Sequence, residues 1–263
     1  MQHITEQIDA LLRAMPPITL EQMSEIRLMK RTDQKYLTNL PTLFRLLEMT
    51  RDSYYSQEIE GRRISPYATT YWDDPSDLMF RTHQAGHAPR RKVRVRTYLG
   101  SDQSFLEVKK KDNHGKTSKS RVPVPSLKAV LEEQAGQDFL QQKTGFSLEH
   151  LAPTVGNRFN RITLVNRAKT ERLTIDFDIQ FYNYKTRQSA TMSNIVVIEL
   201  KRDGRVPSPI LPMLRALRIK PSGFSKYCIG ACVTDPTLRV NRFKKRLIRV
   251  RKVSRKSTFE SSN

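Results

Sequence analysis

The sequence contains few of the residues that mark secreted or membrane proteins. Only two of its 263 residues are cysteines, Cys228 and Cys232, so no disulfide framework is expected and a reducing compartment suits the chain. The longest apolar run, residues 195–198, has the length of a strand and falls far short of the roughly 20 residues of a membrane helix. Residues 1–15 lack the basic-then-apolar order of a signal peptide. We therefore expect a cytoplasmic protein without a transmembrane segment of its own.

Acidic residues are scarce relative to basic ones. The chain has 47 Lys and Arg against 26 Asp and Glu, a formal net charge of +21. Two segments hold most of this excess: residues 81–121 carry 12 basic and 3 acidic side chains, and residues 239–263 carry 10 basic and 1 acidic. Such concentration predicts a polyanionic partner, which could be nucleic acid, an acidic membrane or a phosphate chain.

Hydrophobic periodicity and turn residues predict a mixed, α+β chain. Helices are predicted at residues 4–15, 126–145, 210–217 and 222–233, and after Asn39 and Pro75. Strands are predicted at residues 29–37, 64–72, 92–98, 105–111, 117–122, 158–165, 172–181 and 194–201. We expect one domain over residues 1–238, followed by a basic tail over residues 239–263 that is flexible at its end.

Five of the predicted strands combine an apolar face with a charged face. In residues 92–98, Val93 and Val95 alternate with Lys92, Arg94 and Arg96. The other charged faces carry Glu107, Lys109 and Lys111; Phe159, Arg161 and Thr163; Arg172, Thr174, Asp176 and Asp178; and Glu199 with Lys201. Residues 173, 175, 177 and 179 form the apolar face of their strand. The charged faces are either solvated, as in many antiparallel sheets, or they converge on a polar lumen if the sheet curls.

A lumen of this composition suits phosphate chemistry. Guanidinium groups grip phosphate oxygens in a fork and ammonium groups act as point charges. Carboxylates beside a triphosphate would repel it unless Mg²⁺ or Mn²⁺ lay between them, because both ions favour oxygen ligands. Enzymes of phosphoryl transfer commonly use cations that position the phosphates and a metal ion that bridges them.

Nine short motifs in this order resemble the VTC domain of polyphosphate polymerases, over roughly residues 28–232. They are Arg31-x-Asp33-x-Lys35-Tyr36, Tyr71-Trp72-Asp73, Arg94-x-Arg96-x-Tyr98, Glu107-x-Lys109, Lys119-x-Arg121, Phe159-x-Arg161, Arg172-x-x-x-Asp176, Glu199-x-Lys201 and Ser225-Lys226-Tyr227. That domain is one of the triphosphate tunnel metalloenzymes, which include RNA triphosphatases and the CYTH phosphohydrolases. The resemblance implies an antiparallel β-barrel, the triphosphate tunnel, with flanking helices.

The resemblance also implies roles for individual residues in binding ATP and polyphosphate. The implied catalytic, phosphate-contacting residues are Lys35, Arg94, Arg96, Lys109, Arg161 and Lys226. Further contacts to the bound nucleotide or phosphate chain are implied for Lys119, Arg121, Arg172, Lys201 and Ser225. Glu199 is the leading ligand for Mn²⁺ or Mg²⁺, with a salt bridge as its alternative role. Glu107 and Asp176 are further metal candidates that could instead orient the tunnel cations.

Two departures from the family pattern bear on activity. Phe159 stands where the family typically has tyrosine, so one hydroxyl contact is missing. The first strand reads Arg31-x-Asp33-x-Lys35 and lacks the Glu-x-Glu-x-Lys signature of CYTH hydrolases. The pattern therefore favours a metal-dependent polyphosphate polymerase. A triphosphate hydrolase and a non-catalytic polyphosphate- or nucleotide-binding module stay open.

Partners beyond the phosphate ligands are less defined by the sequence. Nucleic acid is not the expected ligand, because proteins that bind RNA on their surface usually expose stacking aromatic residues. The basic tail could bind anionic lipid, nucleic acid or an acidic polymer that leaves the tunnel, or it could only increase solubility. VTC-type polymerases often work with membrane proteins, so a membrane-protein partner is possible for this chain as well.

Overall fold

One large β-sheet with helices on its faces makes up the molecule. The structure, a computed structural model, describes residues 1–26, 31–125, 134–204 and 206–255. Strands and α-helices are interspersed along this part of the chain, and 11 strands join one sheet. The predicted α+β class is therefore confirmed.

The elements have the following bounds. The strands are β1 (Pro17–Ile18), β2 (Arg31–Asn39), β3 (Tyr54–Gln57), β4 (Ser65–Asp73), β5 (Arg90–Tyr98), β6 (Gln103–Lys111), β7 (Thr117–Val124), β8 (Ala152–Asn166), β9 (Glu171–Asn183), β10 (Ser189–Met192) and β11 (Ile195–Asp203). The α-helices are α1 (Gln2–Arg13), α2 (Leu20–Ser24), α3 (Leu40–Thr50), α4 (Leu78–Ala85), α5 (Gln134–Thr144), α6 (Ile210–Ala216), α7 (Lys226–Thr234) and α8 (Lys244–Arg255). Short 3-10 turns span Leu148–His150 and Asn241–Phe243. No helix within the described ranges has both the length and the apolar character needed to cross a bilayer.

The main sheet runs in the order β2-β11-β9-β8-β4-β5-β6-β7, and every neighbouring pair in it is antiparallel. Strand β10 forms an antiparallel pair with residues 179–182 of β9, and β1 joins the sheet through a parallel pairing with β3. The edge strands β2 and β7 are not paired with each other in the described residues. The sheet is thus large and antiparallel as expected, while its closure into a barrel stays a prediction.

Helices α1, α3 and α6 cover the outer face of the sheet. Their apolar side chains, among them Leu12, Leu43 and Leu214, pack with Ile175 of β9 and Ile198 of β11 in one fully buried cluster. Helix α3 begins where predicted: the Asn39 side chain accepts a hydrogen bond from the Thr42 backbone N–H at 3.1 Å, which caps the first turn. This packing leaves the opposite face of the same strands free to carry charge.

Helix α7 packs against the inner face of the sheet. The ring of Tyr227 stacks on that of Tyr71, with centroids 5.1 Å apart. Gly230 is required for this approach, because a Cβ there would lie 2.6 Å from the ring of Phe181 and 2.9 Å from Val155. Cys228 and Cys232 are both free thiols in this helix, as expected.

A bulge in β9 changes the predicted faces of that strand. Asp178 has φ 51°, and the pairing with β8 shifts register next to Arg158. The extra residue moves Ile179 into the cluster that contains Phe181 and Tyr227, away from the cluster that contains Ile175. The prediction that residue 179 shares a face with residues 173, 175 and 177 is therefore wrong.

Two predicted helices begin later in the structure. Helix α4 begins at Leu78, not at Pro75, because the Asp74 side chain accepts from the Leu78 N–H at 2.7 Å. Helix α7 begins at Lys226, not at residue 222, because Ser225 caps it through the Cys228 N–H at 3.3 Å. Residues 29–30 and 126–133, where a strand and a helix were predicted to begin, lie outside the described residues.

The basic C-terminal segment is helical as far as it is described. Phe243 and Val250 are buried in the same cluster as Tyr227, and the Asn39 side chain donates to the Val253 carbonyl at 3.4 Å. The division of the chain at residue 239 stays a prediction, but residues 241–255 are packed against the sheet. The predicted flexible end, residues 256–263, lies outside the described part of the chain.

Candidate functional site

The inner face of the sheet carries the charged side chains that the strand alternation predicts. Strands β5, β6 and β7 form one wall, and strands β2, β11, β9 and β8 form the other. Each of three carboxylates lies directly opposite a cation on the neighbouring strand and pairs with a second cation nearby. We call these groups the three triplets: Arg94–Glu107–Lys119, Arg161–Asp176–Lys226 and Lys35–Glu199–Lys201.

The Asp176 triplet joins helix α7 to the sheet. Arg161 grips the carboxylate in a fork, with Nε to Oδ1 at 2.6 Å and Nη2 to Oδ2 at 2.8 Å. Lys226, at the first turn of α7, donates to Oδ2. Burial disfavours the charged carboxylate, yet Arg161 and Lys226 outweigh it and hold the pKa of Asp176 well below its usual range. Burial is also the largest effect on Lys226 and lowers its pKa to about 8.

The Glu107 triplet lies on the other wall, and its carboxylate is almost completely buried. Arg94 contacts Glu107 Oε2 through Nη2 at 2.5 Å and Nε at 2.7 Å, and Lys119 of β7 pairs with Oε1. Burial opposes the charge on Glu107, but Arg94, Arg96 and Lys119 lower its pKa to about 2. Arg94 also donates to the Tyr71 hydroxyl at 3.5 Å, so this triplet is linked to the aromatic contact beneath α7.

The Glu199 triplet is more open to solvent. Lys35 of β2 donates to Glu199 Oε1, and Lys201 lies 3.5 Å from Oε2. Burial opposes the charge on Glu199, but Lys201 and Lys35 keep its pKa far below the ordinary value. Asp33 occupies the diagonal position next to Glu199, because it lies opposite Lys201 in the β2–β11 pairing.

Further cations on the inner face, among them Lys92, Arg96 and Lys109, form no ion pair with a carboxylate of the described residues. Arg96 is only 8% exposed, and its Nε donates to Thr69 Oγ1 at 3.4 Å. Burial and the neighbouring Arg94 and Arg161 lower the pKa of Arg96 to about 10. A buried guanidinium that must share its counter-charge is costly, and the carboxylate that acts on Arg96, Glu107, is already paired with Arg94 and Lys119. The inner face therefore carries an excess of positive charge that an anionic ligand would offset.

A cavity of about 530 Å³ opens between the two walls, and we call it the mouth cavity. Lys35, Lys92 and Lys109 line it from β2, β5 and β6, and residues 221–225 close one side. Lys92 Nζ donates to Ser225 Oγ at 2.8 Å, so Ser225 both caps α7 and orients this cation. Burial and the cations around it lower the pKa of Lys92 to about 8.

Two implied binding residues lie apart from the triplets. Arg121 is exposed on β7 and its guanidinium carbon lies 4.6 Å from the centre of the Phe105 ring. Arg172 lies opposite Lys201 in the β9–β11 pairing, and its Nη2 donates to the Met23 carbonyl at 3.1 Å. By register the inner face carries Lys35, Arg94, Arg96, Lys109, Lys119, Arg121, Arg161, Arg172 and Lys201, and α7 adds Lys226.

Asp73 is a positioning residue whose role the sequence did not reveal. Its fully buried carboxylate accepts hydrogen bonds from the N–H groups of Met79 and Phe80, both at 2.9 Å, and from the Tyr227 hydroxyl. Burial raises the pKa of this carboxyl despite these donors. Asp73 therefore fixes α7, and with it Lys226, to the end of β4. The Tyr71-Trp72-Asp73 motif contained the residue but not its partners, which are distant in sequence.

The carboxylates fit a divalent metal in an arrangement where a bound phosphate ligand supplies further oxygen atoms. No group of three or more His, Cys, Asp or Glu side chains gathers in the described ranges, so the protein alone does not form a metal cage there. Mg²⁺ commonly binds through one or two carboxylates together with substrate phosphates. Glu199, the most open of the three triplet carboxylates and close to Asp33 in register, fits that arrangement.

Comparison with known proteins agrees with this geometry. The family model of the VTC domain matches residues 30–234. A crystal structure from Bacillus halodurans, described as a candidate adenylate cyclase, is similar with TM-score 0.50 and 13% identity over 82% of this chain and 99% of that one. A Hippeastrum protein, described as a candidate adenylyl cyclase with a dominant triphosphatase activity, has TM-score 0.51 and 14% identity over 78% and 97% of the two chains.

No curated protein matches the chain in sequence. The two solved structures have a CYTH-like fold, and at these identities they show the fold alone. The family match covers more than half of the chain and includes all three triplets. Proteins of this family bind phosphate or nucleotide ligands and typically depend on a divalent metal. The chain belongs to the VTC domain family.

Proposed function

We propose that this domain is a polyphosphate polymerase that transfers the terminal phosphoryl group of ATP to a polyphosphate chain. The main support is the excess of cations over carboxylates on the inner face. Three carboxylates are shared among six cations in the triplets, and Lys92, Arg96 and Lys109 add further positive charge without an ion pair in the described residues. A chain of phosphates supplies the missing negative charge along the whole length of such a surface.

The proposed reaction requires little covalent work from the protein. The terminal oxygen of the polyphosphate chain attacks the γ-phosphorus of ATP, the bond from that phosphorus to the β–γ bridging oxygen breaks, and ADP leaves. Arg94, Arg161 and Lys226 lie where they would neutralise the charge on the phosphoryl oxygens. A divalent ion, held by Glu199 when bound, would add Lewis-acid stabilisation of the phosphates.

A triphosphate hydrolase is the second candidate, because the same surface could orient water as the nucleophile. The triphosphatase activity named for the similar Hippeastrum protein gives this candidate some weight. Against it, Arg31 and Asp33 stand where CYTH hydrolases carry two glutamates. Fewer carboxylates near Lys35 leave fewer ligands for a catalytic metal. We therefore favour transfer over hydrolysis.

Turnover distinguishes these candidates directly. Purified protein is incubated with ATP and Mn²⁺, and ADP, free phosphate and polyphosphate are measured together. We expect one ADP for each phosphoryl group added to polyphosphate. The Arg94→Ala and Glu199→Ala variants should form neither product. Free phosphate without polymer would establish the hydrolase, and ATP binding without any product would leave a binding module.

Two adjacent lysines of β6 provide a matched control for the binding surface. Both are exposed, but Lys109 lies on the inner face and lines the mouth cavity, whereas Lys110 points to the outer side of the same strand. Lys109→Ala should weaken tripolyphosphate binding about tenfold, the effect of losing one charged contact. Lys110→Ala should leave the dissociation constant unchanged. Equal effects of both substitutions in a calorimetric titration would contradict the proposed location of the ligand.

A further inference from the structure

The mouth cavity continues into a second cavity on the surface of the C-terminal segment. This second cavity has about 410 Å³, and we call it the outer basin. His83, Arg90 and Arg246 line both cavities. The two spaces are therefore neighbours, and these three side chains form the boundary between them.

The outer basin is lined by cations without any acidic side chain. Arg90, Arg242, Lys245 and Arg246 contribute to its wall, and neither Asp nor Glu does. In the mouth cavity Asp33 is the only acidic lining residue, against six Lys and Arg. The ratio of cations to carboxylates thus increases from the triplets towards the outside. An anionic chain that leaves at this end therefore meets one acidic lining residue, Asp33, in the mouth cavity and none in the outer basin.

A buried polar atom without a hydrogen-bond partner in the described part of the chain also lies at the boundary between the two cavities. His83 Nδ1 is buried and has no hydrogen-bond partner in the described residues. Burial, followed by Lys92 and Arg90, lowers the pKa of His83 to about 3, so the ring is neutral near pH 7. A neutral imidazole can donate one N–H to a phosphate oxygen. The ring thus lines both cavities as a neutral polar group.

The outer basin is built by anchored side chains and does not depend on a loose tail. Arg242 Nη1 donates to the Ala85 carbonyl at the end of α4. Arg249 donates to the carbonyls of Lys220 and Pro221 at 2.9 and 3.1 Å, which ties α8 to the segment that closes the mouth cavity. These contacts hold the basin next to the mouth.

We propose that the outer basin, with Lys245 and Arg246, is a binding site for the part of a polyphosphate chain that lies outside the tunnel. The inference rests on the proposed function and adds that the chain extends over α8 at this mouth. It also assigns a ligand to the basic C-terminal segment. Short phosphate chains fit within the tunnel and do not reach the basin, so the contribution of these cations depends on chain length.

The test compares two phosphate ligands and two charge-matched variants. Lys245→Glu reverses the charge of a basin residue that does not line the mouth cavity, whereas Lys252→Glu reverses an exposed cation of α8 that lines neither cavity. We expect the basin variant to bind long-chain polyphosphate about tenfold more weakly. Its affinity for tripolyphosphate should equal that of the wild type. The control variant should bind both ligands as the wild type does.

Several outcomes would overturn the inference. They are unchanged long-chain affinity in the basin variant, equal losses in the two variants, and equal losses for both ligands. An equal loss for single-stranded DNA or for vesicles containing anionic lipid would show a general polyanion or membrane surface, and this too would contradict it. Failure of the wild type to bind tripolyphosphate would instead refute the proposed function, so the two failures are distinguishable.

Discussion

Two lysines on the inner face combine a positive charge with a pKa close to physiological pH. Burial lowers the pKa of Lys92 and of Lys226 to about 8. Their hydrogen-bond partners differ, since Lys92 donates to Ser225 and Lys226 to Asp176. Both remain ammonium groups below pH 8 and lose the proton above it. Phosphate binding by this site is therefore tied to the proton concentration.

The affinity for tripolyphosphate should decrease as pH rises through about 8. Below that pH both lysines are charged and contact phosphate, and each deprotonation removes one charged contact, about tenfold in affinity. Isothermal titration from pH 7 to pH 9.5 measures this decrease. Lys92→Arg retains its charge over the whole range, so its profile should be flatter. An identical profile for the variant would show that Lys92 does not contribute to the pH dependence.

Helix α7 is the element on which the inner face depends most. It delivers Lys226 to Asp176, stacks Tyr227 on Tyr71, and is tied to β4 through Asp73. Its close approach is possible because Gly230 presents no side chain to Phe181. A change at this glycine would move the helix as a unit, and with it the cation in its first turn.

Gly230→Ala should destabilise the protein although alanine favours helices. The new Cβ would overpack against Phe181, which typically costs about 1–3 kcal/mol, whereas the gain in helix propensity is about 1 kcal/mol. We expect a net loss of up to about 2 kcal/mol in the free energy of unfolding, measured by urea denaturation, and weaker tripolyphosphate binding. Gly100→Ala is the control, since a Cβ there meets no atom within 4 Å. A stabilised Gly230→Ala variant would contradict the packing described for α7.

The sequence predicts the strands of this fold better than their connections. Alternation places Arg94, Glu107 and Glu199 on the inner face because period-two patterns depend only on neighbouring residues. It fails at Asp178, where one left-handed residue reverses the faces and no local pattern announces the bulge. Alternation also does not predict the pairing of Lys226 with Asp176, because these two residues are distant in the chain. Such contacts depend on tertiary packing.

Three ionised carboxylates on the inner face offset part of the positive charge of the molecule. Their pKa values are all lowered, to about 2 for Glu107 and further for Asp176 and Glu199. In the unfolded chain these groups titrate near pH 4. Their stabilising contribution is therefore complete above about pH 4 and is lost as pH falls through the folded-state values. Repulsion within a chain of net charge +21 acts in the same direction.

The free energy of unfolding should be nearly constant between pH 5 and 7 and should fall steeply below about pH 4. Urea denaturation at a series of pH values measures this curve. Glu107→Gln removes one titrating group and should give a lower but flatter curve in the acid range. A wild-type stability that rises on acidification would contradict the ionised state of the three triplets.

The three triplets also mean that the ligand-free inner face contains its own counter-ions. Asp176, Glu107 and Glu199 neutralise cations that would otherwise gather anions from the buffer, and they are tethered to the chain. A phosphate chain that enters must exchange places with bound carboxylates more than with dissolved salt. Ion release to bulk solution is what makes polyelectrolyte binding sensitive to ionic strength. The inner face would thus act as an ion exchanger that regenerates itself, since the carboxylates would reclaim their partners whenever a phosphate ligand departs.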